Sequence, residues 1–256
     1  MSRPPLSSPE PLSPEPTPRS QLPPGWAGAA VALMGFAAGL VVSTITATVA
    51  EGLTGYRVGS GAPLPVAVTV ADLIGLWVGL IGAAVWFSRR RGTASLRDDF
   101  GLRVGAWWDL PLGAAVGLAC QYGLVTLLYL PLEQLDPGLQ QRLSQPTSQD
   151  TGAAHSLGPI VALVIFLAIA APLVEELFFR GLLLRSLARV VPAPLAIVVS
   201  GLLFGLAHFE PLQFLGLAAV GMVFGALAWF TGRLGPSIGA HMAFNAAAVL
   251  TAVHLH

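Results

Sequence analysis

The sequence predicts an all-α, polytopic membrane protein with about seven transmembrane helices and a polar intramembrane cavity in the last four. Three observations carry this reading. Of 256 residues, 54% are hydrophobic and only 10% charged, against about 25% charged in soluble domains. Several apolar runs reach about 20 residues, the length that crosses a bilayer as a helix. One of these runs, from Ile160 to Leu187, contains Glu175, Glu176 and Arg180. Ionisable groups are costly at membrane depth and face a protein interior or a water-filled cavity. Runs this long and this continuously apolar do not fit barrel strands, and open strands cannot satisfy their backbone in lipid.

Residues 1–24 are rich in proline and serine, a composition that cannot bury a core and predicts a disordered tail. They are no secretory signal, because the first apolar run begins only near Trp26 and lacks a cleavage site. That run, about 26–50, is the first predicted span, and about 66–87 is the second. Asp72 lies near the start of the second and is expected at the interface. Arg89, Arg90 and Arg91 follow, then Arg97 and Arg103, the densest positive charge in the chain. The excess of arginine places this loop in the cytoplasm. Between Asp98 and Asp109, residues Phe100, Leu102, Val104, Trp107 and Trp108 form an amphipathic piece expected to lie at the interface.

A third span is predicted at about 110–130, followed by a polar loop over 131–156 with a turn at Asp136-Pro137-Gly138. The fourth span begins near Pro159 and ends near Arg185 and Arg189. Pro172 cannot donate to Ala168 and should kink this helix one turn before Glu175. The fifth span is expected at about 195–209. The sixth, at about 212–230, has small residues (Gly216, Ala218, Gly221, Gly225) that permit close helix packing. The seventh, at about 237–253, carries His241 and Asn245. Seven crossings put the N-terminus in the cytoplasm, with Arg185, Arg189 and Arg233 on the same side. A bacterial plasma membrane is the expected location. The whole of 25–256 reads as one membrane domain.

Composition also excludes. The net charge is zero, which argues against a nucleic-acid partner. Cys120 is the single cysteine, so neither an intrachain disulfide nor a thiolate metal cluster can form. In an apolar run it reads as a buried, inert thiol. His155, His254, His256 and Glu210 are expected to be solvated or interfacial.

The polar groups within the apolar helices fall into three stretches. Glu176 and Arg180 are four apart and can pair on one helix face, whereas Glu175 points roughly 100° away. His208 ends the stretch that begins at Phe204, and His241 and Asn245 again share a face. A carboxylate in a low-dielectric site becomes more basic, which suits it to take a proton from water. A neighbouring histidine can share in that activation, and a histidine with an amide can donate to an oxyanion. Glu175, His208 and His241 could instead hold a zinc ion, although no His-Glu-x-x-His spacing is present. Each group also has a plain structural reading: a self-neutralising ion pair for Glu176 and Arg180, a hydrogen-bonded structural histidine, an asparagine joining helices. The helical rise puts His208 about 20 Å along the fifth helix but His241 only about 7 Å into the seventh. They meet only if the helices tilt, start at different depths or surround a deep cavity.

Glu175-Glu176-x-x-x-Arg180, Phe204-x-x-x-His208 and His241-x-x-x-Asn245, in this order, resemble the CPBP family of intramembrane proteases, the CAAX protease and bacteriocin-processing family. The resemblance covers about 159–250. It implies that Glu175 and His208 activate water for attack on a peptide carbonyl, and that His241 and Asn245 stabilise the oxyanion. Glu176 and Arg180 then hold the site in shape, and Phe204 packs beside His208. The family is described both as metalloprotease and as metal-free. The implied substrate is a membrane-associated peptide or protein, lipidated or not. Two other readings fit the residues: a non-catalytic interaction or immunity protein on the same scaffold, and a small proton-coupled transporter. The transporter reading predicts internal repeats, and none is seen.

Overall fold

A computed structural model describes residues 25–60, 62–151 and 156–254. The proline-rich segment 1–24, His155 and His256 lie outside the described residues. The described chain is all-α. We label its nine helices α1 (Gly25–Thr54), α2 (Val66–Arg91), α3 (Leu96–Phe100), α4 (Asp109–Leu135), α5 (Leu139–Thr151), α6 (Leu157–Leu187), α7 (Ala193–Leu206), α8 (Phe214–Thr231) and α9 (Gly235–His254). Five of them, α1, α2, α4, α6 and α8, are long and apolar enough to cross a membrane. The other two predicted spans differ in kind. α7 has 14 residues, about 21 Å at the helical rise and short of a hydrocarbon core of about 30 Å. α9 has 20 residues, but His241 and Asn245 dilute its apolar character.

Two further differences from expectation have local causes. The predicted loop after the third span is largely helical. α4 runs through Pro131 to Leu135, and the polar stretch beyond the Asp136-Pro137-Gly138 turn forms α5. Its Leu, Gln and Arg residues are good helix formers, a signal that hydropathy alone does not register. At the other end of the predicted fifth span, α7 stops at Leu206 and the chain turns through Phe209, whose φ is +55°.

α6 is the axis of the molecule. α1 and α2 pack on one side of it, α7 and α8 on another, and α9 on a third. The largest core cluster lies where α1, α2 and α7 meet α6, around Leu80, Ala84, Phe87, Phe178, Leu182 and Phe204. α6 is not a uniform α-helix. It passes into π-helical turns at Val164–Ala170 and again at Glu176–Leu184, the kind of irregularity that is frequent at functional sites.

The remaining pairs are tightened by glycine. In α4, a Cβ at Gly117 would come within 2.8 Å of the carbonyl carbon of Ala240, and one at Gly113 within 2.8 Å of the Ala240 nitrogen. α4 therefore lies against the backbone of α9, as small residues allow in membrane helices. At the mouth of this seam Asp109 is fully buried. It accepts from Arg233 Nε (2.7 Å) and Nη2 (2.6 Å), and from the Gly105 and Ala106 amides. The Leu234 amide donates to Gly101 O (2.8 Å) and the Gly235 amide to Arg103 O (3.1 Å). These bonds draw the start of α9 inward, so that every residue from Leu234 to His241 is buried. Asp72, expected at the interface, accepts from Ser43 Oγ on α1.

Candidate active site

The site is built on the second π-helical turn of α6. Glu176 and Arg180 are 0% and 1% exposed and pair at 3.0 Å, as their spacing predicts. Burying two ions calls for further partners; the surrounding helices supply one hydrogen bond to each, while Glu176 Oε2 and Arg180 Nε make none. Arg180 Nη2 donates to Gly221 O on α8 (3.1 Å). Its guanidinium lies 4.4 Å from the centre of the Phe204 ring and 5.8 Å from that of Phe224, a favourable cation–π setting. Gly221 also lets α7 and α8 come close here, because a Cβ there would meet Gly201 and Phe204 at 3.0 Å.

His241 reaches both glutamates. Its Nδ1 donates to Glu176 Oε1 at 2.9 Å, and its Nε2 lies 3.7 Å from Glu175 Oε2. A carboxylate can only accept, so the proton on Nδ1 is fixed by Glu176. The imidazole therefore spans two successive carboxylates of α6. The sequence separates Glu175 from the Glu176–Arg180 face, whereas the histidine from α9 bridges them. Glu175 is the more accessible member, its side chain 15% exposed, although its Oε2, the oxygen nearest His241, is itself buried and accepts no hydrogen bond.

His208 sits in the turn that follows α7. Its Nδ1 donates to Phe204 O at 2.8 Å, which leaves Nε2 outside that bond. The Phe204 ring is 4.8 Å from the His208 ring and 5.4 Å from that of His241. Phe204 thus touches both imidazoles, and no direct hydrogen bond joins His208 to Glu175. The depth problem posed by the helical rise is met by unequal starts: α7 is short, and α9 begins already inside the protein.

Asn245 has a partner that sequence could not give. Its Nδ2 donates to Leu167 O in α6 at 2.9 Å. In the first π-helical turn the Ala171 amide reaches back five residues to Phe166 O. The next such bond would run from residue 172 to Leu167 O, but Pro172 has no N–H. The carbonyl so released is taken by Asn245, whose second N–H remains available.

Phe224, Gly221 and the Asp109–Arg233 clamp are parts of this region that motif reading passes over. The signal present in the sequence was the run of small residues in α8, which marks close approach without naming the partner. Among the described residues no group of three or more His, Cys, Asp and Glu is placed to hold a metal ion. Glu175, His208 and His241 do not converge as free donors, because both nitrogens of His241 face carboxylates and Nδ1 of His208 faces its own turn.

Residues 157–247, from the first residue of α6 into α9, match the family described as Type II CAAX prenyl endopeptidase Rce1-like. No curated protein and no solved structure matches the chain.

Proposed function

Starting from the Rce1-like type II CAAX prenyl endopeptidase domain at residues 157–247, we propose that this chain is an intramembrane endopeptidase that hydrolyses a peptide bond with a water activated by Glu175. The observation that carries this reading is the imidazole of His241 held between two carboxylates, one sealed against Arg180 and the other accessible. A purely structural ion pair has no need of the second carboxylate.

In the proposed reaction, water attacks the scissile carbonyl carbon while Glu175 takes one of its protons. A carbon–oxygen bond forms and the carbonyl π electrons move to oxygen. The second N–H of Asn245 and, with Nδ1 already protonated towards Glu176, a second proton on His241 Nε2 meet that negative charge. As the tetrahedral species collapses, the carbon–nitrogen bond breaks and the proton passes to the leaving amine. His208, with Nε2 free, carries protons between Glu175 and the amine. Glu176 and Arg180 do not touch the substrate; they hold the Nδ1 proton and the orientation of His241. Phe204 packs against both imidazoles and holds each ring in place. The donor set as arranged does not fit a resident zinc ion, and no step here runs through one.

The substrate is a protein or peptide whose cleavage site lies near the membrane. The reading of the whole chain is seven crossings, with α7 and α9 as the shorter ones, in a multi-pass plasma-membrane protein. The ends of α2 and α6 face the cytoplasm because Arg89, Arg90, Arg91, Arg185 and Arg189 lie there. The polar groups line a cavity open on that side, and 25–256 act as one unit around the core at about 159–250.

The test is cleavage of quenched, membrane-anchored peptides by the full chain in vesicles. Activity that disappears in Glu175→Gln and His208→Ala, with both variants still folded, is the expected result. Insensitivity to chelator is expected with it. Cleavage that survives Glu175→Gln removes the assignment of the base. A folded wild type that binds peptides without cleaving them favours the interaction-protein reading.

A further inference from the structure

A second feature lies where α2 and α6 end, away from the glutamates. Arg185 and Arg189 lie one helical turn apart at the end of α6, and the Arg185 guanidinium reaches the loop that carries Arg103, where a Cβ on Gly101 would collide with its Nη2; Arg103 and Arg189 are exposed. Arg185 is held in place, with Nη2 donating to Gly232 O at 3.0 Å. The Arg103 carbonyl accepts from the Gly235 amide of the same loop at 3.1 Å. Among the described residues none of the three arginines has a carboxylate at ion-pair distance. Asp99 is the acidic group that bears on Arg189. Its oxygens already accept from Ser88 Oγ (2.5 Å), from the Thr93 amide (2.9 Å) and from Thr93 Oγ1 (3.0 Å). Asp109, the other carboxylate nearby, is taken by Arg233. Three like charges gathered by the fold against the single, unpaired carboxylate of Asp99 leave an excess of positive charge that forms a seat for an anion.

The next residues say which kind of anion. Val104 and Trp107 are 56% and 87% exposed, directly beyond Arg103. A bare tryptophan beside a bare valine is unfavourable in water and suited to the headgroup layer of a bilayer, where indole rings concentrate. A soluble phosphate offers these two side chains nothing, whereas a phospholipid offers its phosphate to the arginines and its upper acyl chain to Val104 and Trp107. We propose that Arg103, Arg185 and Arg189, with Val104 and Trp107 beside them, form a binding site for the headgroup of an anionic phospholipid. Such a site requires a membrane-spanning chain but not an active protease, so lipid retention and proteolysis are separately measurable.

The experiment is native mass spectrometry of the full chain released from vesicles of mixed phosphatidylglycerol and phosphatidylcholine. Wild type is expected to retain phosphatidylglycerol in preference to phosphatidylcholine. Arg103→Gln, Arg185→Gln and Arg189→Gln should each weaken that preference about fivefold, as expected for one basic residue near an anionic surface. Arg57→Gln and Arg142→Gln, at the opposite end, should leave it unchanged. Arg103→Gln keeps the comparison valid if the Arg185 substitution disturbs folding, because the Arg103 side chain is exposed. Equal retention of the two lipids by wild type, or a preference untouched by all three substitutions, overturns the proposal. Displacement of the lipid by inorganic phosphate at equal concentration overturns the choice of a lipid over a soluble anion.

Discussion

Glu175 and Glu176 are neighbours with opposite surroundings, and the difference predicts opposite phenotypes. Glu176 is sealed from solvent between Arg180 and His241. Glu176→Ala leaves a buried guanidinium without its counter-charge, a loss of about 3–5 kcal/mol, to be read by denaturation in detergent. Glu175 has one long contact and partial exposure. Glu175→Gln should hold stability to within about 1 kcal/mol while peptide hydrolysis falls about 10²–10⁴-fold. Equal destabilisation by the two changes would return both carboxylates to a structural role. The pairing of Glu176 with Arg180 is legible in the sequence because both ends lie on one helix and spacing determines who faces whom. The contact of His241 with both glutamates is not. It depends on the depth at which α9 starts, and that depth is fixed by Asp109, Arg233 and Leu234, which no motif includes.

At the scale of the helix, the first π-helical turn of α6 and Asn245 belong to one hydrogen-bond account. Pro172 frees Leu167 O and Asn245 claims it. Asn245→Ala should therefore cost about 1 kcal/mol. In a Pro172→Ala background the new backbone N–H competes for the same carbonyl, and the cost should fall towards zero. A double-mutant cycle on thermal unfolding measures this coupling; additivity would show that Asn245 and Pro172 act separately. The seam between α4 and α9 gives a sharper contrast. Gly117→Ala drives a methyl group into the Ala240 backbone and should cost about 1–3 kcal/mol, together with peptide cleavage, because His241 is the next residue. Gly123→Ala meets open space and should be neutral or stabilising by up to about 1 kcal/mol. The sequence marks such glycines as places of close approach but does not say which helix approaches. For the same reason α5 escapes a hydropathy reading: it is a polar helix in a chain otherwise judged by its apolar runs.

At the scale of the whole molecule, the long apolar helices α1, α2, α4, α6 and α8 are legible from composition and run length alone. His208 and His241 come from the other two predicted spans: α7, whose 14 residues are short for a crossing and which ends just before His208, and α9, whose apolar run is interrupted by His241 and Asn245. Orientation is open to direct measurement. Single cysteines placed at Arg90 and at Gln141, in a Cys120→Ala background, should react differently with an impermeant maleimide applied to intact cells. Position 141 is expected to be labelled and position 90 protected, with the pattern reversed in inside-out vesicles.

The Asp109 clamp and the glycines of α4 bear on what counts as a unit here. The matched segment begins at α6, yet the helix that bears His241 rests on α4, which lies outside it. Residues 157–247 are accordingly a unit of likeness and not a unit of folding. Expressed alone, they would present α9 with a bare flank and an unmet Arg233. A chimera that exchanged the first half of this chain for another would need to bring Asp109, Gly113 and Gly117 along with it. A chain cut between α5 and α6 and co-expressed as two fragments should reassemble through that same seam.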